Sequence, residues 1–273
     1  MTISTRDQLI DALANNTSRI VIDKASLANA AAGQFFSLWS SAGIPAPGVA
    51  PGTTAAIPTT ATTGAIQFTQ QTAPATSYLA WLRAAFSNAV STLEVHDRVA
   101  HMGGLSGIVT TAQTVNCDVL TLGLPAARRG DASYNDLQWW IEIHTALGAT
   151  GVNATANVNY DDGSTGNLAV VALGATPRAG RMYPLVSAVA GRYIRGVNSI
   201  TLSATTGTAG NFGVTCTRPR TGIDSAVANF ATAYDWAVLG LPEIPNDSCL
   251  QFISLCSTTS TGTVRGQGKI AHG

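Results

Sequence analysis

The stretch "YLAWLRAAFSNAVSTLEVHDRVAHMGGLSG", Tyr78 to Gly107, decides how the chain is read. In its first half Leu79, Leu82, Phe86, Val90 and Leu93 recur at three- and four-residue intervals, with Arg83, Ser87, Ser91 and Glu94 off that stripe. Such spacing places the apolar side chains on one helical face. With Ser77 opening it, the pattern predicts a helix over residues 77–94. The second half gathers His96, Asp97, His101, two glycines and Ser106.

Three chemistries compete for that second half. A shared metal needs histidines on one face, about 40° apart as in H-E-x-x-H. His96 and His101 are five apart, about 140° around a helix. A nucleophile reading joins Ser106 to His101 and Asp97. "GGLSG", however, lacks the G-x-S-x-G elbow that strains a serine into the open. The third reading is a helix end. Gly103 and Gly104 supply the positive-φ residues that stop a helix, and Asp97 and His101 form an ordinary pair one turn apart. A histidine in a last turn meets the negative helix end, worth about 0.3–1 kcal/mol. This reading fits every residue. The expectation is a helix terminus feeding a β domain, with no catalytic residue, metal ligand or cofactor assigned.

Outward from there, Thr5 and Gln8 form a capping box that opens a helix over "RDQLIDALAN". "RIVID", Arg19 to Asp23, reads as a strand, and Ser26 caps a second helix, "LANAAAGQFFSLWSS", ended by Gly43. Toward the C-terminus the pattern turns to β. "LQWWIEIHTALG" alternates Leu137, Trp139, Ile141 and Ile143 against Gln138, Trp140, Glu142 and His144. "VNATANVNYDDGSTGNLAVVAL" reads as two strands around an Asp162-Gly163 turn. "RYIRGVNSITLSATTGTAGNFGVTCTR" and "CLQFISLCSTTSTGTVRGQGKIA" read as two further hairpins, separated by a helix over 224–240 capped by Asp224. Short strands with Gly/Thr turns predict a mainly β fold. The expected architecture is an antiparallel, jelly-roll-like β-sandwich with an N-terminal helical region and an extended Pro/Ala/Thr arm. The expected divisions are 1–43 helical, 44–76 arm, and 77–273 a helix followed by the sandwich.

The arm begins abruptly. "IPAPGVAPGTTAAIPTTATTG", Ile44 to Gly64, carries no charge and four prolines. Fully extended, it reaches roughly 65 Å at about 3.1 Å per residue, against a diameter near 50 Å for a compact domain of this length. It is long enough to contact a neighbour or to lie on its own domain. Ile44, Pro45, Pro47, Pro51, Ile57 and Pro58 are the candidate interface residues, joined by Trp140, whose ring the alternation turns away from the core.

Composition narrows the function classes. Charged residues are 11% of the chain and the formal net charge is +0, well under the roughly 25% charge of an ordinary soluble domain. Nothing repels one copy from another, which favours a homo-oligomer or an assembly. No basic cluster exceeds Arg128–Arg129, so no direct nucleic-acid contact is expected. No run is long enough to span a membrane as a helix and no secretory signal is visible. Cys117, Cys216, Cys249 and Cys256 are scattered and read as buried thiols. Trp139–Trp140 offers a sugar-stacking platform, and Asp161, Asp162 and Ser164 a calcium turn. Core packing with one outward aromatic, and an Asp-Gly turn that needs no ion, are the favoured readings. "RRGD", 128–131, is a chance-level tripeptide.

"HDRVAHMGGLSG", "SATTGTAGNFGVTCTRPR" and "CLQFISLCSTTSTGTVRGQGKI", together with the start "MTISTRDQLIDALANN", resemble a poorly characterised family of tailed-bacteriophage virion proteins. The resemblance implies a non-enzymatic structural role, a capsid decoration or cement protein bound to the major capsid protein or other virion proteins and assembled in the host cytoplasm. It transfers no functional residues. The competing class is a receptor- or carbohydrate-binding sandwich of the tail, with Trp140 and the loop aspartates as contacts.

Overall fold

A computed structural model describes residues 3–28, 30 and 32–273. In chain order the elements begin with α1 (Arg6–Asn15), β1 (Thr17–Lys24), β2 (Gln34–Ser37), β3 (Gly43–Ile44), β4 (Ser77–Phe86), β5 (Ser91–Leu105) and β6 (Gln113–Asp118). Then come α2 (Ala126–Arg129), β7 (Gln138–Thr145), β8 (Val152–Tyr160), β9 (Thr165–Asn167), β10 (Val171–Gly174), β11 (Arg181–Leu185) and β12 (Ile194–Leu202). The chain closes with β13 (Asn211–Ser225), β14 (Thr232–Asp235), α3 (Trp236–Leu239), β15 (Glu243–Ile244), β16 (Leu250–Cys256) and β17 (Val264–His272). The protein is mainly β and its sheets are antiparallel.

Two compact units divide it. The first holds Met1–Gly48, Thr59–Asp97 and Arg220–Gly273, the second Val49–Pro58 and Arg98–Pro219. In the first unit, the sheet β14-β4-β17-β1-β3, with β15 also on β4, is backed by β16 paired to β2 and to residues 92–97 of β5. Ile20, Ile22, Leu79, Leu82, Phe86, Leu93, Val95, Phe252 and Ile270 fill the space between, each at most 2% exposed. In the second unit, β10-β8-β12-β6, with β9 on β8, faces β7 paired to β11 and β13. Val115, Cys117, Trp139, Ile141, Ile143, Val158, Val197, Ile200, Phe212 and Val214 form its core. In each unit these strands enclose an apolar core, and β5, β7 and β16 are buried on both faces instead of alternating.

The capping box at Thr5 and Gln8 is present: the Thr5 hydroxyl accepts from Gln8 N and the Gln8 side chain accepts from Thr5 N. The helix expected over 77–94 is instead β4, a turn, and the start of β5. The reason is a coincidence of periods. Leu82, Ala84 and Phe86 alternate inward at period two, and a bulge at Ala80 shifts Leu79 into the same face. Skipping the inconspicuous Ala84 makes that set mimic a helical stripe. Val90, counted on the stripe, is 72% exposed in the turn with φ 51°.

The second expected helix, 27–41, gives way to β2 over Gln34–Ser37, where Gly33 donates to Cys256 O (2.8 Å) and Phe36 is buried against β16. Two positions of that segment lie outside the described residues. The third, 224–240, shrinks to α3, capped by Asp235 instead of Asp224. The two later hairpins are also re-partnered. β12 pairs with β8 and β6 while β13 pairs with β7. Likewise β16 pairs with β2 and β5 while β17 pairs with β4 and β1. Consecutive strands cross from one layer of a sandwich to the other, because their connectors are too long for tight hairpins.

Val90→Gly separates the two readings of this stretch. In a turn with φ 51°, glycine relieves a β-branched residue of left-handed backbone and is expected to raise unfolding stability by about 0.5–1 kcal/mol. Within a helix the same change would lower it by about 1 kcal/mol, so chemical denaturation of the variant decides.

Candidate functional site

The centre of β5 is buried on both faces: His96, Asp97 and Arg98 are each 0% exposed. Charged groups on a doubly covered strand need partners, and each finds them within its own unit. In the first unit His96 Nε2 lies 2.6 Å from Glu94. Asp97 accepts from Cys249 N at 2.9 Å and pairs with Arg220 at 3.5 Å. In the second unit Arg98 pairs with Glu142 at 2.7 Å, donates to Thr215 Oγ1 at 2.9 Å, and donates through Nε to His101 Nδ1 at 2.9 Å. Thr215 also donates to Glu142. Arg128, 1% exposed, donates to Arg98 O at 3.0 Å and to Pro58 O at 2.9 Å. His144 lies close by, and its Nε2 is buried without a hydrogen-bond partner.

The electrostatics follow from this packing. Burial and the Arg98 charge push His101 down to about 3, against a smaller upward pull from Glu142. His144 is lowered by burial and Arg98, with Glu142 opposing. Burial alone would raise the Glu142 carboxyl, but Arg98, His144 and the Thr215 hydroxyl hold it at about 2. The cluster at neutral pH is therefore one ion pair flanked by two neutral imidazoles.

The expected helix terminus is thus the middle of a strand. Ser106 is occupied elsewhere: its backbone N–H donates to Gln113 Oε1 at 2.7 Å and its hydroxyl accepts from Ile108 N at 3.5 Å. Among the described residues no group of three His, Cys, Asp or Glu could hold a metal. Asp161 and Asp162 are paired with Arg192 at 3.4 and 2.9 Å, so a cationic side chain already stands in the calcium turn. All four cysteines are buried thiols, and burial raises Cys117 to about 12 and Cys256 to about 11.

The candidate interface residues divide sharply. Trp140 is corrected: it is 3% exposed, with Nε1 donating to Thr217 Oγ1 at 2.9 Å. Both faces of β7 are covered, so alternation turns neither indole outward. Pro51 and Pro58 are buried and Ile57 packs against the second unit's core. Ile44 is 50% exposed, Pro47 is exposed, and the half-buried Pro45 accepts from the buried Lys24 ammonium at 2.7 Å. Sequence reasoning missed Arg98, Arg128, Glu142 and His144. The available signal was a lone Arg in "HDRVAH" and a lone Glu in "WWIEIH", opposite charges each set in an apolar strand.

No family model matches the chain, and no curated protein matches it. Weak similarity exists to solved structures of infectious bursal disease virus. The Gt strain structure is 11% identical over 93% of this chain and 81% of that chain, with a TM-score of 0.17. The VP2 subviral particle is 9% identical over 94% and 80%, with a TM-score of 0.16. Superpositions this poor carry no conclusion about fold or role.

Two outcomes check the site. Glu142→Gln leaves the Arg98 guanidinium buried without its counter-charge and is expected to lower stability by about 3–5 kcal/mol, read by denaturant unfolding. Acid should also destabilise. Because the folded His101 stays neutral while the unfolded one protonates near 6.5, its contribution is complete above that pH and is lost as pH falls toward about 3. Glu142 adds loss between about 4.5 and about 2. Unfolding midpoints measured from pH 7.5 to 4 should fall continuously below 6.5.

Proposed function

We propose that the chain is a non-enzymatic structural component of a tailed-phage virion, a capsid decoration or cement protein that stabilises the shell by contacts with neighbouring subunits. The observation that carries the reading is the surface it leaves open. The uncharged segment 44–64 buries Pro51 and Pro58 yet exposes Ile44 by 50% and Val49 by 73%. Many other charges are turned inward or into ion pairs. An apolar, charge-poor exterior favours association with other copies or with a shell. The motif resemblance to tailed-phage virion proteins points the same way. The alternative of a sugar-binding tail module loses its contacts, since Trp140 is buried and Asp161 and Asp162 are occupied by Arg192.

The test uses the purified chain and empty shells of its phage. Wild-type protein should co-sediment with shells, and Ile44→Asp with Val49→Asp should reduce binding at least tenfold while leaving the unfolding midpoint unchanged. Undiminished binding by the double variant removes the segment from the interface. Failure of the wild-type protein to bind shells, with retention on glycan resin, favours the tail reading.

A further inference from the structure

Along the chain the cations are scattered, which is the ground for expecting no nucleic-acid contact. Folding gathers four of them. In the first unit β14, β4, β17 and β1 lie side by side, and their registers set Asp235, Trp81, Lys269 and Arg19 in one row across the strands. Ala233, Arg83, Gln267 and Val21 form the next row, and Ala85, Arg265 and Asp23 the third. Directly paired residues share a face of the sheet. The residues between them, among them Ile20, Ile22, Leu82 and Phe86, are buried in the core, so these rows point outward. Arg19, Arg83, Arg265 and Lys269 are all exposed. Rows stand about 7 Å apart and strands about 4.8 Å, so the four Cα atoms fall within roughly 15 Å of one another.

The patch is only partly neutralised. Arg265 pairs with Asp23 at 3.3 Å. Arg19 donates to the uncharged Gln267 side chain at 3.3 Å and Lys269 to Leu13 O at 3.1 Å. Among the described residues the Arg83 guanidinium has no acceptor. Asp235 is the other carboxylate of the three rows, which leaves the face with an excess of positive charge on a chain whose formal net charge is +0.

Beside the cations lies a cavity of about 340 Å³, lined by Leu13, Ala80, Trp81, Asp235, Trp236 and Lys269. Two indoles and two aliphatic side chains supply most of its wall. Its polar groups are already committed. Asp235 Oδ1 accepts from Ala237 N and Val238 N, capping α3, and Lys269 holds the Leu13 carbonyl. A hydroxyl-rich sugar ring would find few partners there. A flat aromatic ring needs none and stacks on an indole. Carboxylates alone would meet the cations and leave the indoles unused.

We propose that this face binds single-stranded nucleic acid, with phosphates on Arg19, Arg83 and Lys269 and a base seated against Trp81 and Trp236. Lys269 joins the two halves, since it stands between Trp81 and Arg19 in their row and also lines the cavity. A single strand offers both a phosphate backbone and unpaired rings, whereas a duplex keeps its bases stacked inside. Phosphate contacts and stacking read no base edges, so binding is tolerant of sequence. Ile44 and Val49 take no part in this face, so its failure and the failure of the shell-binding reading are separate results.

Fluorescence anisotropy on the intact chain tests this, using a labelled oligothymidylate of about ten nucleotides at about 50 mM salt. The oligonucleotide should bind with an affinity that falls as salt rises, and at least tenfold more tightly than a duplex of the same length. Arg19→Gln with Arg83→Gln should weaken binding at least tenfold and make the log–log salt slope shallower by about 1.4, at about 0.7 per phosphate contact. Trp236→Ala should weaken it at least fivefold with the salt slope unchanged, because stacking releases no counterions. Unfolding midpoints of the variants, which change exposed side chains, should match the wild type. Absence of binding overturns the proposal, as does equal affinity for duplex, polyglutamate or an anionic polysaccharide, which would mark a general anion surface. Full binding by the arginine double variant overturns it too, by placing the contact elsewhere.

Discussion

A guanidinium that cannot reach water must be satisfied where it stands, and Arg98 is 0% exposed on a strand covered on both faces. Its charge is met by Glu142, its Nε–H by His101, and one terminal nitrogen also donates to Thr215, the partners drawn from β7, β5 and β13. Its own carbonyl is held by a second buried arginine, Arg128. Buried pairs of this kind add little net stability over an apolar core, because desolvation offsets attraction. What they supply is a penalty on every arrangement that leaves one member alone. In the second unit the cluster ties together β5, β13 and β7, neighbours in one layer, and Arg128 extends it to the Pro58 carbonyl.

The same sequestration explains the exterior. A chain with 11% charged residues that turns several of them inward is left with threonine, serine and scattered aliphatic side chains outside. Such a surface has little electrostatic repulsion to keep copies apart. The proposed assembly role rests on that physics and on the motif resemblance.

Some of the architecture was legible before any coordinates. The capping box at Thr5, the strand "RIVID" and the alternation through Ile141 and Ile143 are local signals, and they stand where the sequence puts them. The Asp162-Gly163 turn likewise joins β8 to its partner β9. Misreading came where two periods coincide. Leu79, Leu82 and Phe86 satisfy a helix, and equally satisfy a bulged strand once Ala84 is counted. Alanine-rich residues 27–41 follow helix propensity, which is worth only tenths of a kcal/mol per residue and yields to pairing with β16.

The sequence by itself determined the class of this protein: mainly β, poor in charge, with an uncharged proline-rich segment and no local catalytic signature. Those are properties of composition and of nearest neighbours along the chain, and they survive any folding of it. Only the tertiary structure decided which strands pair, since β12 and β13, and β16 and β17, are consecutive yet hydrogen-bond to other strands. Only it placed Trp140 and Glu142 inside, because alternation assigns faces to a strand but does not reveal that both faces of β7 are covered. The cluster of Arg98, His101, Glu142 and Thr215 joins three strands separated by tens of positions. Long-range burial creates that chemistry, and no short window of sequence contains it.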